Sequence, residues 1–216
     1  MALRGAIWDM DGVLVDTGEL HYESWRAVLE EEGIPFSREL FARIFGMNNF
    51  GVLTAALGRE PERAFYERLD DRKERLFREW LVDQVTPLPG ALSWLERLGA
   101  LGWKQAIGSS APQANIDATL DALGIRGHFD AIVSGAGLPG KPNPDTFLLA
   151  AERIGVPPAE CVVFEDAVAG VQAARRAGMA CVAVTTTVPA ERLAGADLVL
   201  ARLNQLDEAA LLRLRA

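Results

Sequence analysis

Cysteine is scarce in this chain, and so are positive charge and long apolar runs. Cys161 and Cys181 are the only two cysteines in 216 residues. Each opens an apolar run that reads as a buried strand, so both read as core residues rather than a disulfide pair or metal ligands. No apolar run approaches the roughly 20 residues that a membrane helix requires, and no membrane association is expected. Lys and Arg number 22 against 30 Asp and Glu, a formal net charge of -8. That is the wrong sign for a protein that holds nucleic acid by neutralising phosphates, so a nucleic-acid partner is not expected. An acidic chain can still take a small phosphate ester where a metal and a few local cations line the pocket. The N-terminus also lacks the roughly 7–15 residue apolar stretch of a signal peptide, because Asp9 and Asp11 interrupt it, which makes the cytoplasm the expected location. Repeats and low-complexity tracts are absent.

What is present is ordinary for a globular protein. Half the residues are hydrophobic and 24% are charged, too apolar for disorder, and the length suits one domain carrying an insertion. The expected assembly is a monomer or weak homo-oligomer. Short β-rich runs at Gly5–Trp8, Trp103–Ile107, Ala131–Val133, Val162–Phe164, Cys181–Val184 and Leu198–Leu200 alternate with helix-period segments. Those segments fall at Ala91–Leu101, Gln113–Leu123, Asp145–Ile154 and Val168–Ala177. This rhythm predicts an α/β fold, a Rossmann-like doubly wound parallel sheet. Between Asp16 and Gln84 no strand is expected, only helices over Asp16–Glu32, Arg38–Phe45, Phe50–Leu57 and Glu62–Leu81. The stretch reads as an all-helical cap, residues 16–85, inserted into a core of residues 1–15 and 86–216. Crossings near Val13–Thr17 and Gln84–Gly90 would act as hinges for a lid. Asp16 and Glu19 have the spacing of a capping box. In the last insert helix, Phe65, Leu69, Leu76 and Trp80 form an apolar stripe whose gaps are filled by Arg72 and Lys73. Those two cations either cover apolar surface with their stems or hold substrate.

Four separated features carry the chemistry. The first is Trp8-Asp9-Met10-Asp11-Gly12 at the end of the first strand. Carboxylates two apart point to opposite sides of a continuing strand, but Gly12 lets the chain turn and bring both to one pocket, at the strand end where open α/β sheets bind ligands. Taken alone, Asp-x-Asp also fits a turn or solvated edge. The second is Ile107-Gly108-Ser109-Ser110, where a hydroxyl and backbone N–H groups ahead of a helix suit a phosphate or serve as an ordinary cap. The third is Lys141 in Gly140-Lys141-Pro142-Asn143-Pro144-Asp145, a lysine in a stiff turn or a surface charge. The fourth is Val162-Val163-Phe164-Glu165-Asp166, two acids at a strand end that are costly unless solvated or metal-bound. With Asp9 they would offer the hard oxygen ligands that Mg2+ prefers.

Together these motifs resemble the haloacid dehalogenase superfamily, and within it the β-phosphoglucomutase-like phosphatases with a helical cap; the resemblance spans essentially the whole chain. It implies a phosphoaspartate formed on Asp9, with Asp11 as general acid and base. Ser109, with Ser110 beside it, would bind phosphate. Lys141 would neutralise both nucleophile and phosphate. A magnesium ion would be held by Asp9, the Asp11 backbone carbonyl and Asp166, with Glu165 bound directly, through water or only orienting its neighbour. The resemblance also matches two residues of the insert, His21 and Lys73, to residues of β-phosphoglucomutase, although His21 also reads as a packed or capped histidine. One position departs from the pattern. The segment matching a cap Gly-x-x-Arg is Gly46-Met47-Asn48-Asn49, and Asn49 has neither the charge nor the fork of guanidinium, though Arg43, Arg72 or Lys73 could compensate. The expected activity is therefore hydrolysis of a small phosphorylated metabolite, plausibly a sugar or polyol phosphate. A phosphomutase is the alternative, and a non-catalytic phosphate-binding module is a third reading.

Overall fold

The computed structural model describes residues 2–44, 47–81 and 84–214. Six strands form one parallel sheet: β1 (Gly5–Trp8), β2 (Lys104–Ser109), β3 (Ala131–Ser134), β4 (Cys161–Glu165), β5 (Ala180–Val184) and β6 (Leu198–Leu200), in the order β3-β2-β1-β4-β5-β6. This is the strand order of a doubly wound sheet, and its direction reverses between β1 and β4, where such sheets place their ligands. β1 is central. Trp8 pairs in register with Ile107 on one side and Phe164 on the other.

Alternation of side chains along each strand sorts them onto two faces. Trp8, Ile107, Phe164 and Val182 pack against α5 (Ala91–Ala100) and α6 (Gln113–Leu123), whereas Ile7, Ala106, Val163 and Cys181 pack against α7 (Asp145–Arg153) and α8 (Val168–Arg176). The central strands are buried on both faces, which explains their continuous apolar runs. Both cysteines are free and lie in this core. Trp8 stacks on Phe164 with ring centroids 3.9 Å apart, and its indole N–H donates to Gln105 Oε1 at 3.0 Å.

Four helices separate β1 from α5: α1 (Gly18–Glu31), α2 (Arg38–Ile44), α3 (Asn49–Leu57) and α4 (Arg63–Leu81). They build their own apolar cluster around Trp25, Leu29, Leu53 and Leu69. The end of α2 expected at Phe45 lies outside the described residues. The capping box expected at Asp16 and Glu19 does not form: Thr17 precedes α1 without a side-chain cap, and Asp16 Oδ1 only accepts from the Gly18 N–H at 3.2 Å. Glu19 is instead paired with Arg38, and Thr17 donates its hydroxyl to Asp11. On α4 the expected stripe packs inward, with Leu69 buried and Phe65, Leu76 and Trp80 partly buried against the apolar clusters, but the two gap cations differ. The buried residues of the helix are Leu69, Lys73, Glu74, Phe77 and Leu81, while Arg72 is exposed and bound to Glu31. A short α9 (Glu208–Arg213) ends the fold; its six residues give too little periodicity to be read in advance.

The two chain crossings between sheet and insert lie side by side. Val15 bridges to both Asp11 and Pro87, and the Leu88 N–H donates to the Leu14 carbonyl at 2.9 Å. Gly12 is required at the first crossing, since its φ is +79° and a Cβ there would fall 1.9 Å from Asp166 Oδ2. Gly170, in the first turn of α8, makes similar room: a Cβ would fall 1.7 Å from Glu165 Oε1. Gly170→Ala is expected to destabilise the fold by about 1–3 kcal/mol through overpacking. The check is urea denaturation, which should show a lower midpoint at unchanged slope.

Candidate active site

The carboxyl ends of β1, β2 and β4 face the insert across a cavity of about 880 Å³. The cavity gathers residues far apart in the chain: Asp9 and Asp11 after β1, Ser109 and Ser110 at the end of β2, Lys141 ahead of α7, and Glu165 and Asp166 at the end of β4, with His21 and Asn49 from the insert. Lys73 does not line it. That side chain is fully buried behind the wall, between His21 and Glu74.

The core side of the cavity is dominated by one ammonium among acids. Lys141 Nζ donates to Asp9 Oδ1 at 2.9 Å and to Glu165 Oε1 at 2.7 Å. Glu165 Oε2 accepts the N–H groups of Asp166 and Ala167, both at 2.7 Å, so Glu165 is fixed from both ends. Thr187, just past β5, donates to Asp166. Asp9, Glu165 and Asp166 are all buried, and one ligating oxygen of each lies within 4.8 Å of the others. Three carboxylates against one lysine leave the cluster short of positive charge. Burial, helped by Glu165 and opposed by Lys141, pushes the Asp9 carboxyl up to about 7. Burial, Glu165 and Asp9 likewise push Asp166 well above the carboxylate range. Burial works against the Lys141 ammonium, but Asp9 and Glu165 outweigh it and hold its pKa above that of ordinary lysine. A compact set of hard, charge-deficient oxygens is what a divalent cation such as Mg2+ fits.

Asp11 has different neighbours. Its Oδ1 accepts from the Thr17 hydroxyl and faces His21 Nε2 at 3.7 Å. Burial raises its pKa, yet His21, Thr17 and Lys73 together bring it below the usual value. Lys73 Nζ lies 2.9 Å from His21 Nδ1. An ammonium only donates, so Nδ1 accepts and the imidazole proton sits on Nε2, toward Asp11. Burial and the Lys73 charge hold the His21 pKa down, and the ring stacks on Phe77 at 4.3 Å. Ser109 is buried at the end of β2, and its Oγ accepts the Ala111 N–H at 3.1 Å. Neither serine caps α6, whose first-turn neighbour is Pro112.

Sequence reading passed over the residues that tie insert to core. Glu74 Oε1 accepts from Lys73 at 2.8 Å and Asn49 at 2.5 Å, while Glu74 Oε2 accepts from Asn115 of α6. Arg78 in turn donates to Asn115 Oδ1 at 2.9 Å. Asp70 accepts from Asn49 at 2.6 Å. The four-residue spacing of Asp70 and Glu74 on one helical face was the available signal. Asn115 offered none, and Thr187 was marked only by its place after a central strand.

A family model described as haloacid dehalogenase-like hydrolase matches residues 3–178. The chain belongs to this family. Among its relatives, the fructose-1-phosphate phosphatase YqaB of Escherichia coli is 38% identical over 179 residues, covering 81% of this chain and 93% of that protein. A β-phosphoglucomutase of Bacillus subtilis is 36% identical over 213 residues, 94% of this chain and 92% of that one. A crystal structure of β-phosphoglucomutase from Clostridium difficile superposes with a TM-score of 0.87 at 30% identity, covering 97% and 95% of the two chains. The α/β sheet with its helical insert is thus the architecture of this hydrolase family.

Lys73 and Glu74 form a buried ion pair, with both side chains almost wholly removed from solvent. Lys73→Ala leaves Glu74 with amide donors only and is expected to cost about 3–5 kcal/mol. In a double-mutant cycle, Lys73→Ala with Glu74→Ala should cost less than the sum of the single changes, measured by chemical denaturation.

Proposed function

We propose that the chain is a Mg2+-dependent phosphatase that hydrolyses a small phosphate monoester, a sugar or polyol phosphate, through a phosphoaspartate on Asp9. The observation that carries this reading is Lys141, clamped between Asp9 at 2.9 Å and Glu165 at 2.7 Å on the core side of a cavity large enough for a sugar phosphate. Lysine there neutralises nucleophile and phosphate without having to reorganise. Asp9, Glu165 and Asp166, with the Asp11 backbone carbonyl, are the groups that would hold Mg2+, which when bound shields the phosphate charge from the carboxylate nucleophile.

In the first half of the reaction an Asp9 oxygen bonds to phosphorus and the bond from phosphorus to the ester oxygen breaks. Asp11 gives its proton to that departing oxygen. In the second half water attacks phosphorus, Asp11 takes the proton from water, and phosphate leaves Asp9. The contacts with Thr17 and His21 favour the ionised form of Asp11, so the arrangement described suits the second, base-catalysed half. Ser109 Oγ already accepts a backbone N–H, which leaves its hydroxyl proton to donate to a phosphate oxygen. Residues 16–85 would act as a cap that closes over the core of residues 1–15 and 86–216, with the paired crossings at Val15 and Pro87 as its hinge.

Similarity to a phosphomutase over 94% of the chain favours a second reading, transfer to another sugar hydroxyl. Among the described residues lining the cavity there is no arginine, which favours water as acceptor. Incubation with β-glucose 1-phosphate and a bisphosphate primer distinguishes the two: inorganic phosphate is the expected product, and glucose 6-phosphate would establish the mutase.

Two further outcomes are expected. In a panel of phosphate esters, Asp9→Asn should lower turnover by about 10⁴-fold or more and Asp11→Asn by roughly 10²–10⁴; wild-type turnover by Asp9→Asn would overturn the mechanism. Metal-free protein should also lose stability as pH rises. The Asp9 pKa is raised to about 7 from an ordinary 3.8, so the folded state holds a proton that the unfolded chain has released, and the stabilisation present at acid pH is lost as pH rises through about 7. Mg2+ should therefore raise the melting temperature more at pH 8 than at pH 5. At a hundredfold excess over Kd the gain is about 2.7 kcal/mol, measurable by calorimetry with and without chelator.

A further inference from the structure

The insert side of the cavity carries charge opposite to what a second phosphate would need. Among the described lining residues the basic side chains are Lys141 and His21. Lys141 is held between Asp9 and Glu165, and His21 Nδ1 is taken by Lys73. The three cations that could have replaced a cap arginine are directed elsewhere. Arg43 is exposed and outside the lining, Arg72 is bound to Glu31, and Lys73 is buried against Glu74.

The two acids of this wall are not equivalent. Glu74 is neutralised by Lys73 and saturated by the amides of Asn49 and Asn115. Asp70 also lines the cavity and accepts from Asn49 at 2.6 Å, but no cation among the described residues is ion-paired with it. Beyond its hydrogen bonds with Asn49 and Tyr66, it presents net negative charge and remaining acceptor capacity to whatever fills the space. Tyr66 lines the wall beside it, and burial together with the Asp70 charge pushes the Tyr66 phenol up to about 12, so the phenol keeps its proton. A carboxylate accepts from hydroxyl groups and repels a phosphate dianion, which at neutral pH has almost nothing to donate.

We propose that Asp70, with Asn49 and Tyr66 beside it, is the specificity determinant of this cavity: it receives the hydroxyl groups of a neutral tail and excludes a second phosphate. The substrate is then a polyhydroxy compound bearing one phosphate, and discrimination comes from a repulsive element as much as an attractive one. This rests on the phosphatase reading above, whose core chemistry it does not alter.

The test compares fructose 1-phosphate with fructose 1,6-bisphosphate, and uses acetyl phosphate, which has no polyol tail, as a probe of the chemistry alone. Wild-type kcat/KM should favour the monophosphate by about 100-fold or more, and Asp70→Asn should narrow that ratio by about tenfold, raising KM for the monophosphate and turnover of the bisphosphate. Asp70→Lys, with melting curves to confirm folding, should narrow it further. Equal wild-type turnover of the two sugars, or a ratio unchanged in folded Asp70 variants, overturns the filter while acetyl phosphate turnover keeps the phosphatase reading intact. Failure to hydrolyse any of the three overturns both.

Discussion

The placement of Lys141 is the constraint on which the site depends. One buried ammonium meets Asp9 and Glu165, and without it three buried carboxylates would face one another across less than 5 Å. At that spacing their mutual repulsion would be several kcal/mol even at a generous effective dielectric constant. Much of the local architecture follows from relieving it. Glu165 is tied to two backbone N–H groups, Asp166 takes the Thr187 hydroxyl, and Gly12 and Gly170 clear space that any side chain would fill with carboxylate oxygens in the way. The remaining charge imbalance makes the pocket receptive to a cation.

The sheet delivers those groups to one place. β1 lies at the centre, β2 and β4 flank it, and all three run in the same direction, so residues just beyond Trp8, Gly108 and Phe164 emerge together. Burial on both faces makes the strands rigid platforms, and the Trp8–Phe164 stack with the Trp8–Gln105 hydrogen bond locks the register beneath Asp9. The opposite wall of the cavity is separate from this platform: Asn49, Asp70 and Glu74 reach it from α3 and α4 of the insert.

What the sequence made legible divides along the same line. The strands and α5–α8 were readable because buried parallel strands are continuous apolar runs and the helices between them keep a clear period. The acid pairs were readable because charge at the end of such a run is costly and so has a purpose. The errors occurred where a side chain's partner is distant. Asp16 and Glu19 have the spacing of a capping box, but Glu19 bonds to Arg38, nineteen residues on. Lys73 read as a cation that either covers apolar surface or holds substrate, but His21, fifty-two residues away, and the buried Glu74 hold it inside. Asn115 had no local signature, because its role exists only when α6 meets α4.

The central position of β1 also orders events in time. Gly5 pairs with Lys104 and Cys161, and at about 5–20 residues per second the ribosome delivers that second partner roughly 8–30 s after β1. The insert helices that pack around Trp25, Leu29, Leu53 and Leu69 are nearer to one another in the chain, so those contacts can form earlier. The strand bearing Asp9 therefore waits for its neighbours, and the acidic pocket exists only once β4 has slotted in beside it.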